Sequence, residues 1–377
     1  MRLNHFRSLR PTCPVCRLHG RDILSLELAL AADQTDDDVI EGILRCTNEA
    51  CRHEYPIIDG IPVIVPQLRE LIAGWIDRIR SRRRFSEPLE SLLGDCCGPG
   101  SGYDDERQRR SSYVWDHWAE FDPREPKSSS DAESPGAIAR LLKNGLNLSS
   151  RAPQDANAPI LDVGCAVGRT TYELAHYFDQ LTLGVDLDIS MLRLAREIRD
   201  TGWVEYPRRR AGVIYDRRRF EVTRNLSQKA MGQIDFWCCD ATAMPFPDAS
   251  FATLASLNLI DCVSSPVDAL REFSRILTGG GQAVIASPYD WSVSATPITA
   301  WIGGHSQRGE TRGSPEVLMR SLFRDGHHHQ AIKQMTIVGE QEHAAWHVRL
   351  HDRSIVHYDS HLMLAEKTRD THVPSTP

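Results

Sequence analysis

Apolar positions along the chain recur with two periods, and the changes between them mark its elements. Residues 1–66 end in the run Tyr55-Pro-Ile-Ile-Asp-Gly-Ile-Pro-Val-Ile-Val65, which reads as β structure broken by turn residues. Over 67–93, Leu68, Leu71, Ile72, Trp75, Ile76 and Ile79 fall at helical spacing. Arginines crowd positions 78–84, and Gly94 to Gly102 reads as a loop. A short aromatic helix is expected at Tyr113–Phe121, and Pro123 to Pro135 reads as a linker or mobile loop. From about residue 136, strands at 160–163, 181–185, 234–238, 251–258 and 282–287 alternate with helices at 170–178, 189–199 and 266–277. Two further runs, 345–350 and 355–365, predict a terminal hairpin. The expected class is α/β, with a unit at 1–66, a helical connector and linker at 67–135, the α/β domain at 136–367 and a disordered tail at 368–377.

Composition narrows the function classes. The chain has 377 residues and a formal net charge of −7, which argues against a protein that coats nucleic acid. Its mean hydropathy is −0.37, and its apolar runs are too short to span a bilayer. The opening MRLNHFRSLRPTCP has no apolar core of a secretory signal, so a cytoplasmic location is expected. Ten cysteines then read as metal ligands and buried thiols rather than a disulfide framework.

Four of them form two pairs, Cys13-Pro-Val-Cys16 and Cys46-Thr-Asn-Glu-Ala-Cys51. Two such turns place four thiolates around one tetrahedral zinc, which leaves no open coordination position and makes the site structural. The second pair is widely spaced, so His53 is an alternative to Cys51 as a ligand. With the YPIIDGIPV run, the segment resembles the small zinc-ribbon proteins and domains that accompany class I methyltransferases. That resemblance implies a protein partner as one role for the ribbon.

The stretch Ile160-Leu-Asp-Val-Gly-Cys-Ala-Val-Gly-Arg169 carries the chemistry. A strand ends, the backbone turns at Gly164, and a helix begins near Gly168. A pyrophosphate-binding turn would read G-x-G-x-x-G. Here Asp162 precedes the first glycine, and a carboxylate beside the turn suits a cationic ligand. Asp186 ends the second strand, where an acid accepts from ribose hydroxyls. Asp240 follows the third strand, where an acid can accept from an adenine amino group. Three acids at successive strand ends fit S-adenosylmethionine (SAM), whose sulfonium and ammonium are positive.

LDVGCAVGR, GVDLDISML, CDATAMPFPDASF and LREFSRILTGGG resemble the class I SAM-dependent methyltransferases over about 136–365. The resemblance implies a Rossmann-like seven-stranded sheet. It puts Asp162, Gly164, Cys165, Ala166 and Gly168 around the methionine part of SAM, and Asp186 on its ribose. Asp240 and Ala241 fall at adenine, with Leu187, Met191 and Leu257 packing nearby. Ala166 stands where the middle glycine is usual.

Segments after the fourth and fifth strands would line the acceptor pocket. They are Asn258-Leu-Ile-Asp261, Ser287-Pro-Tyr-Asp-Trp291, Thr296-Pro and Trp301-Ile-Gly-Gly-His305. The combination resembles the mercaptohistidine N-methyltransferase domain of ovothiol biosynthesis, with YVWDHWAEF as a looser match. It implies a small acceptor of imidazole or thiol-imidazole type. Asp261 or His305 would orient it and take its proton, and Tyr289 and Trp291 would form a wall, unless these aromatics serve the core and Asp261 caps a helix.

Thr201 to Gln233 is a basic insertion containing arginines 208–210 and 217–219. It reads as a solvated cover, or as a grip on an acidic partner. Two rival functions stay open on that ground: an RNA- or ribosome-associated methyltransferase, and a SAM-binding partner module without catalysis. His327-His-His329 reads as an exposed loop, and the histidines at 347, 351, 357 and 361 as faces of the terminal hairpin.

Overall fold

A computed structural model describes residues 1–80, 85–127, 130, 133–149, 157–309, 311–324 and 326–369. The chain opens with helices α1 (Leu3–Leu9) and α2 (Pro14–Leu18). Strands β1 (Leu26–Gln34), β2 (Val39–Cys46), β3 (Glu54–Ile58) and β4 (Ile61–Ile64) follow. Helices α3 (Leu68–Arg80), α4 (Glu87–Cys97), α5 (Gly102–Trp118) and α6 (Ala137–Leu146) lead into the alternating region. There β5 (Ile160–Val163), α7 (Arg169–Phe178), β6 (Thr182–Asp186) and α8 (Ile189–Thr201) precede a hairpin, β7 (Trp203–Ala211) and β8 (Ile214–Glu221). Next come α9 (Gln228–Gln233), β9 (Ile234–Cys239), β10 (Phe251–Leu257), α10 (Pro266–Ile276) and β11 (Leu277–Ser287). Helix α11 (Pro315–Leu322) and the hairpin of β12 (Met335–His351) and β13 (Ser354–Lys367) end the fold.

The main sheet has eleven strands, not seven, in the order β1-β2-β3-β4-β9-β6-β5-β10-β11-β13-β12. The last seven in that order are the Rossmann-like sheet expected from the sequence. The other four come from the cysteine-bearing segment, because β4 pairs in parallel with β9 at Val63–Cys238 and Ile64–Cys239. Both partners would otherwise present a bare backbone edge. The two parts also share one core: Cys13, Cys16, Tyr55 and Ile57 are buried in the same cluster as Trp237, Phe246 and Phe251.

Ion pairs reinforce the join. Arg196 and Arg199 of α8 reach Asp38 at 2.5 and 3.3 Å, and Arg199 reaches the buried Asp235 at 2.8 Å. Asp38, in the turn between β1 and β2, is thus an anchor.

Other boundaries differ as well. The single helix expected at 67–93 is two, and Gly94 to Cys97 lies inside α4 rather than in a loop. The aromatic helix starts much earlier, at Gly102, capped by Ser101 Oγ, which accepts from the Asp104 N–H at 3.2 Å. Arginines 82–84, part of the expected linker and most of the expected tail lie outside the described residues.

The basic insertion folds as β7 and β8, with its arginines spent internally. Arg208 pairs with Glu125 at 2.8 Å and Asp352 at 2.5 Å, Arg217 with Glu90 at 2.5 Å and Arg218 with Asp122 at 3.4 Å. Arg219 lies over the Trp203 ring at 4.1 Å. Among the described residues no helix is long and apolar enough to cross a membrane.

Candidate active site

The turn after β5 is left-handed three times, at Gly164 (φ 79°), Ala166 (φ 45°) and Gly168 (φ 81°). A side chain at Gly168 would put its Cβ 2.7 Å from Phe236 Cζ, so this position is closed to anything larger. Ala166 accepts the conformation at a cost of about 1–2 kcal/mol. Its N–H donates to Asp186 Oδ2 at 2.9 Å, which holds it there.

The three acids line the carboxyl edge but differ in access. Asp162 is buried under the turn, where the hydroxyls of Thr170 and Thr171 donate to its Oδ2 at 2.7 and 2.6 Å. Burial pushes it up to about 6, against the pull of those hydroxyls. Asp186 also rises to about 6 by burial, opposed by the backbone N–H groups of Asp188 and Ala166. Asp240 binds the N–H and hydroxyl of Thr242 through Oδ1 alone, at 2.8 and 2.7 Å. Leu187 is exposed beside Asp186, while Cys165, Met191, Ala241 and Leu257 are buried around the cleft.

Helix α5 lies across the turn. Trp118 Nε1 donates to Val167 O at 2.9 Å, and His117 O accepts from Arg169 Nη1 at 2.9 Å. Burial, and then Arg169, lower His117 to about 3, so it stays neutral and its Nδ1 accepts from the Arg169 N–H at 3.4 Å. Tyr113 of the same helix keeps 42% of its surface accessible, yet its phenol is electrostatically coupled to Cys262, Asp186 and Asp261. Its pKa is raised, by burial first. Sequence reasoning placed neither Tyr113 nor the Arg169 clamp in the site, because no local pattern reports that α5 folds back onto the turn.

On the acceptor side, the structure brings Asp261 and Tyr289 together. Asp261 is 2% exposed; its Oδ2 accepts from the Asp290 N–H at 2.9 Å, while its Oδ1 is buried without a partner. Burial pushes its carboxyl up to about 6. Asn258 Nδ2 and Trp291 Nε1 are likewise buried and unpartnered. Asn258 (φ 54°) and Tyr289 (φ 56°) are left-handed without being glycine, and such strain gathers at functional edges. Trp291 stacks on Trp301 with centroids 5.7 Å apart. His305 lies apart from Asp261: it is exposed and lines a second cleft of about 390 Å³ with Trp301, His328 and His329.

The four cysteines of the N-terminal segment converge. Their sulfurs lie within 4.8 Å of one another, with Cys13–Cys51 at 3.8 Å and Cys16–Cys46 at 3.7 Å. Four sulfurs at about 2.3 Å from a tetrahedral ion are about 3.8 Å apart, so the cluster has the dimensions of a metal site. The cluster contains Cys51 and not His53, whose ring packs on Tyr55 at 4.9 Å. Among the described residues no other such cluster occurs, and the triple histidine lies in a turn. His347 and His357 face each other across the hairpin, 5.7 Å apart.

Comparison with known proteins accords with this geometry. The family model described as "Methyltransferase domain" matches residues 161–285. An O-methyltransferase, cnsE, of Penicillium expansum is 27% identical over 127 residues, 34% of this chain and 37% of that protein. Ajmaline N-methyltransferase of Rauvolfia serpentina is 22% identical over 153 residues, 40% of this chain and 44% of that one. The chain thus spans less than half the length of these curated relatives. A solved SAM-dependent methyltransferase from Methanosarcina mazei superposes with a TM-score of 0.38 at 17% identity, covering 58% of this chain and 96% of that one. Residues 161–285, which hold the turn and its three acids, thus match a methyltransferase domain.

Proposed function

We propose that this chain transfers the methyl of SAM to a small-molecule acceptor, and that the acceptor atom belongs to an imidazole or thiol-imidazole group. The observation that carries the reading is the set of carboxylates at the ends of β5, β6 and β9, around a left-handed turn whose neighbouring cation, Arg169, is engaged by His117 O, Glu120 and Glu173. Such an edge repels phosphate and favours a positively charged nucleoside.

SAM supplies an electrophilic methyl on its sulfonium, and the rest falls to the protein. Asp186 accepts from ribose hydroxyls, and the free Oδ2 of Asp240 accepts from the adenine amino group beside Ala241. Gly164, Cys165, Ala166 and Gly168 bring backbone close to the methionine part, with Asp162 adding negative charge beneath. Leu187, Met191 and Leu257 pack the nucleoside. Catalysis is then mainly orientation in a dry pocket, with proton removal where the nucleophile needs it. Asp261 is the base: its buried, unpartnered Oδ1 and its raised pKa suit proton uptake from an azole N–H near neutrality. Tyr289 and Trp291 support the pocket wall, and His305 stands in the neighbouring cleft, where it meets the acceptor's remote end.

The motifs NLID, SPYDW, TP and WIGG support the imidazole assignment. The sulfur spacings support structural zinc in a ribbon built onto the sheet. Exposed Leu18, Ile23, Leu24 and Leu30 give that ribbon a surface for a protein partner. The internal pairing of arginines 208, 217 and 218 argues against a nucleic-acid grip. All ten cysteines are unpaired, in keeping with a cytoplasmic location.

The test is an acceptor screen by mass spectrometry with methyl-labelled SAM and a metabolite library. Label on one small azole, unaffected by ribonuclease and by salt, is the expected result. Label in RNA, or SAM binding without S-adenosylhomocysteine in every fraction, would overturn the reading.

A further inference from the structure

Behind the acceptor side runs a hydrogen-bonded row that the sequence motifs do not mark. The Tyr289 hydroxyl lies 2.8 Å from His361 Nδ1. His361 Nε2 lies 3.2 Å from Glu340 Oε2, and Glu340 pairs with Arg320 at 2.9 Å. Glu340, held ionised by Arg320, can only accept. His361 therefore carries its proton on Nε2, and Nδ1 accepts from the Tyr289 hydroxyl. His361 is 3% exposed, on β13 next to β11 at the pair Ser287–His361.

Tyr289 is the hinge of the segment that wraps Asp261. Its backbone is left-handed, and its N–H donates to Ser287 Oγ at 3.0 Å. Directly after it, the Asp290 N–H donates to Asp261 Oδ2 at 2.9 Å and the Ser292 N–H to Asp261 O at 2.9 Å. Thr296 Oγ1 also reaches Asp261 O, at 3.1 Å. A bulky residue keeps such a φ only when its surroundings over-determine it. The part-buried phenol–imidazole bond is the side-chain contact that anchors Tyr289 at this turn, beside its backbone bond to Ser287.

We propose that His361 and Glu340 are positioning residues for methyl transfer: through Tyr289 they hold the 289–296 turn closed on Asp261. This rests on Asp261 being the base. The charged and titratable groups that interact with Asp261 are Asp290 on the turn, Cys262 beside it, Tyr289 itself, Tyr113 of α5 and Tyr358 of β13. None of these changes when His361 is replaced. Opening the turn admits water to Asp261, and because burial is the largest cause of its high pKa, the carboxyl falls toward its ordinary value.

The experiment measures the titration of Asp261 by carboxyl-13C NMR, assigned with Asp261→Asn, in the full chain and in Tyr289→Phe, His361→Leu and His361→Gln. A glutamine side chain can still accept from the phenol and donate to Glu340. Expected is a downward shift of at least about half a pH unit in Tyr289→Phe and His361→Leu, largely restored in His361→Gln, with SAM affinity unchanged. Where an acceptor is in hand, kcat falls about tenfold in the first two variants, and the acid limb of the pH–rate profile moves with the carboxyl. An Asp261 titration identical in all four proteins would overturn the proposal. Absence of methyl transfer by the unaltered chain would instead overturn the functional reading.

Discussion

The backbone N–H of Ala166 donates to Asp186 Oδ2 at 2.9 Å, so the acid that ends β6 also braces the turn after β5. The same carboxylate accepts from the Asp188 N–H through Oδ1 at 2.8 Å. Asp186 is therefore fixed before any ligand arrives. Preorganised acceptors of this kind bind without the cost of ordering themselves.

The pH dependence of binding and of stability should run in opposite directions. Asp162 and Asp186 both rise to about 6, and a cationic ligand selects their ionised forms. Affinity for SAM, measured by calorimetry, should thus fall between about pH 7.5 and pH 5. For the ligand-free protein, an acid whose folded pKa is raised contributes stability below its unfolded pKa, about 3.9, and loses it as pH rises through the folded value. Over about pH 4 to 6 these two acids therefore make the free protein less stable as pH rises. A melting series with and without SAM would show the crossing trends, and an affinity independent of pH would count against both assignments.

Gly168→Ala should cost about 2–4 kcal/mol, from the left-handed φ together with the contact on Phe236. Urea unfolding reads the loss, and SAM binding should suffer even where the protein stays folded. A variant with normal stability would mean that the turn relaxes more freely than its packing suggests.

Zinc, if the four thiols hold it, should be tied to the stability of the whole chain. Because β4 pairs with β9, Cys46→Ser should lower the main melting transition rather than produce a separate early one. Metal analysis should find zinc in the parent protein and little in the variant. A metal-free preparation with an unchanged melting curve would contradict the assignment.

The alternating elements were readable because they are local. Ile160–Val163 is fully buried between neighbours, and a short apolar run broken only by Asp162 announces such a strand. The acids at strand ends followed from the same boundaries. Pairing at a distance could not be read. Nothing in Ile61-Pro-Val-Ile64 reports that its free edge meets Cys238 and Cys239, so seven strands were expected where eleven form. Nor does Tyr113 announce that α5 returns over the glycine turn. His305 shows the reverse limit: it follows Trp301-Ile-Gly-Gly in the motif, but the left-handed turns at Gly303 (φ 82°) and Gly304 (φ 77°) carry it to a different cleft.

The central claim is that a carboxylate edge holds a sulfonium-bearing nucleoside. Calorimetric titration of SAM into the unaltered chain and into Asp186→Ala, side by side, tests it most directly. Loss of a charged hydrogen-bond acceptor worth about 1.5–3 kcal/mol predicts saturable binding by the first and affinity weaker by about 10- to 100-fold in the second, with the fold intact by circular dichroism. Equal affinity in both proteins, or no binding by either, would contradict it.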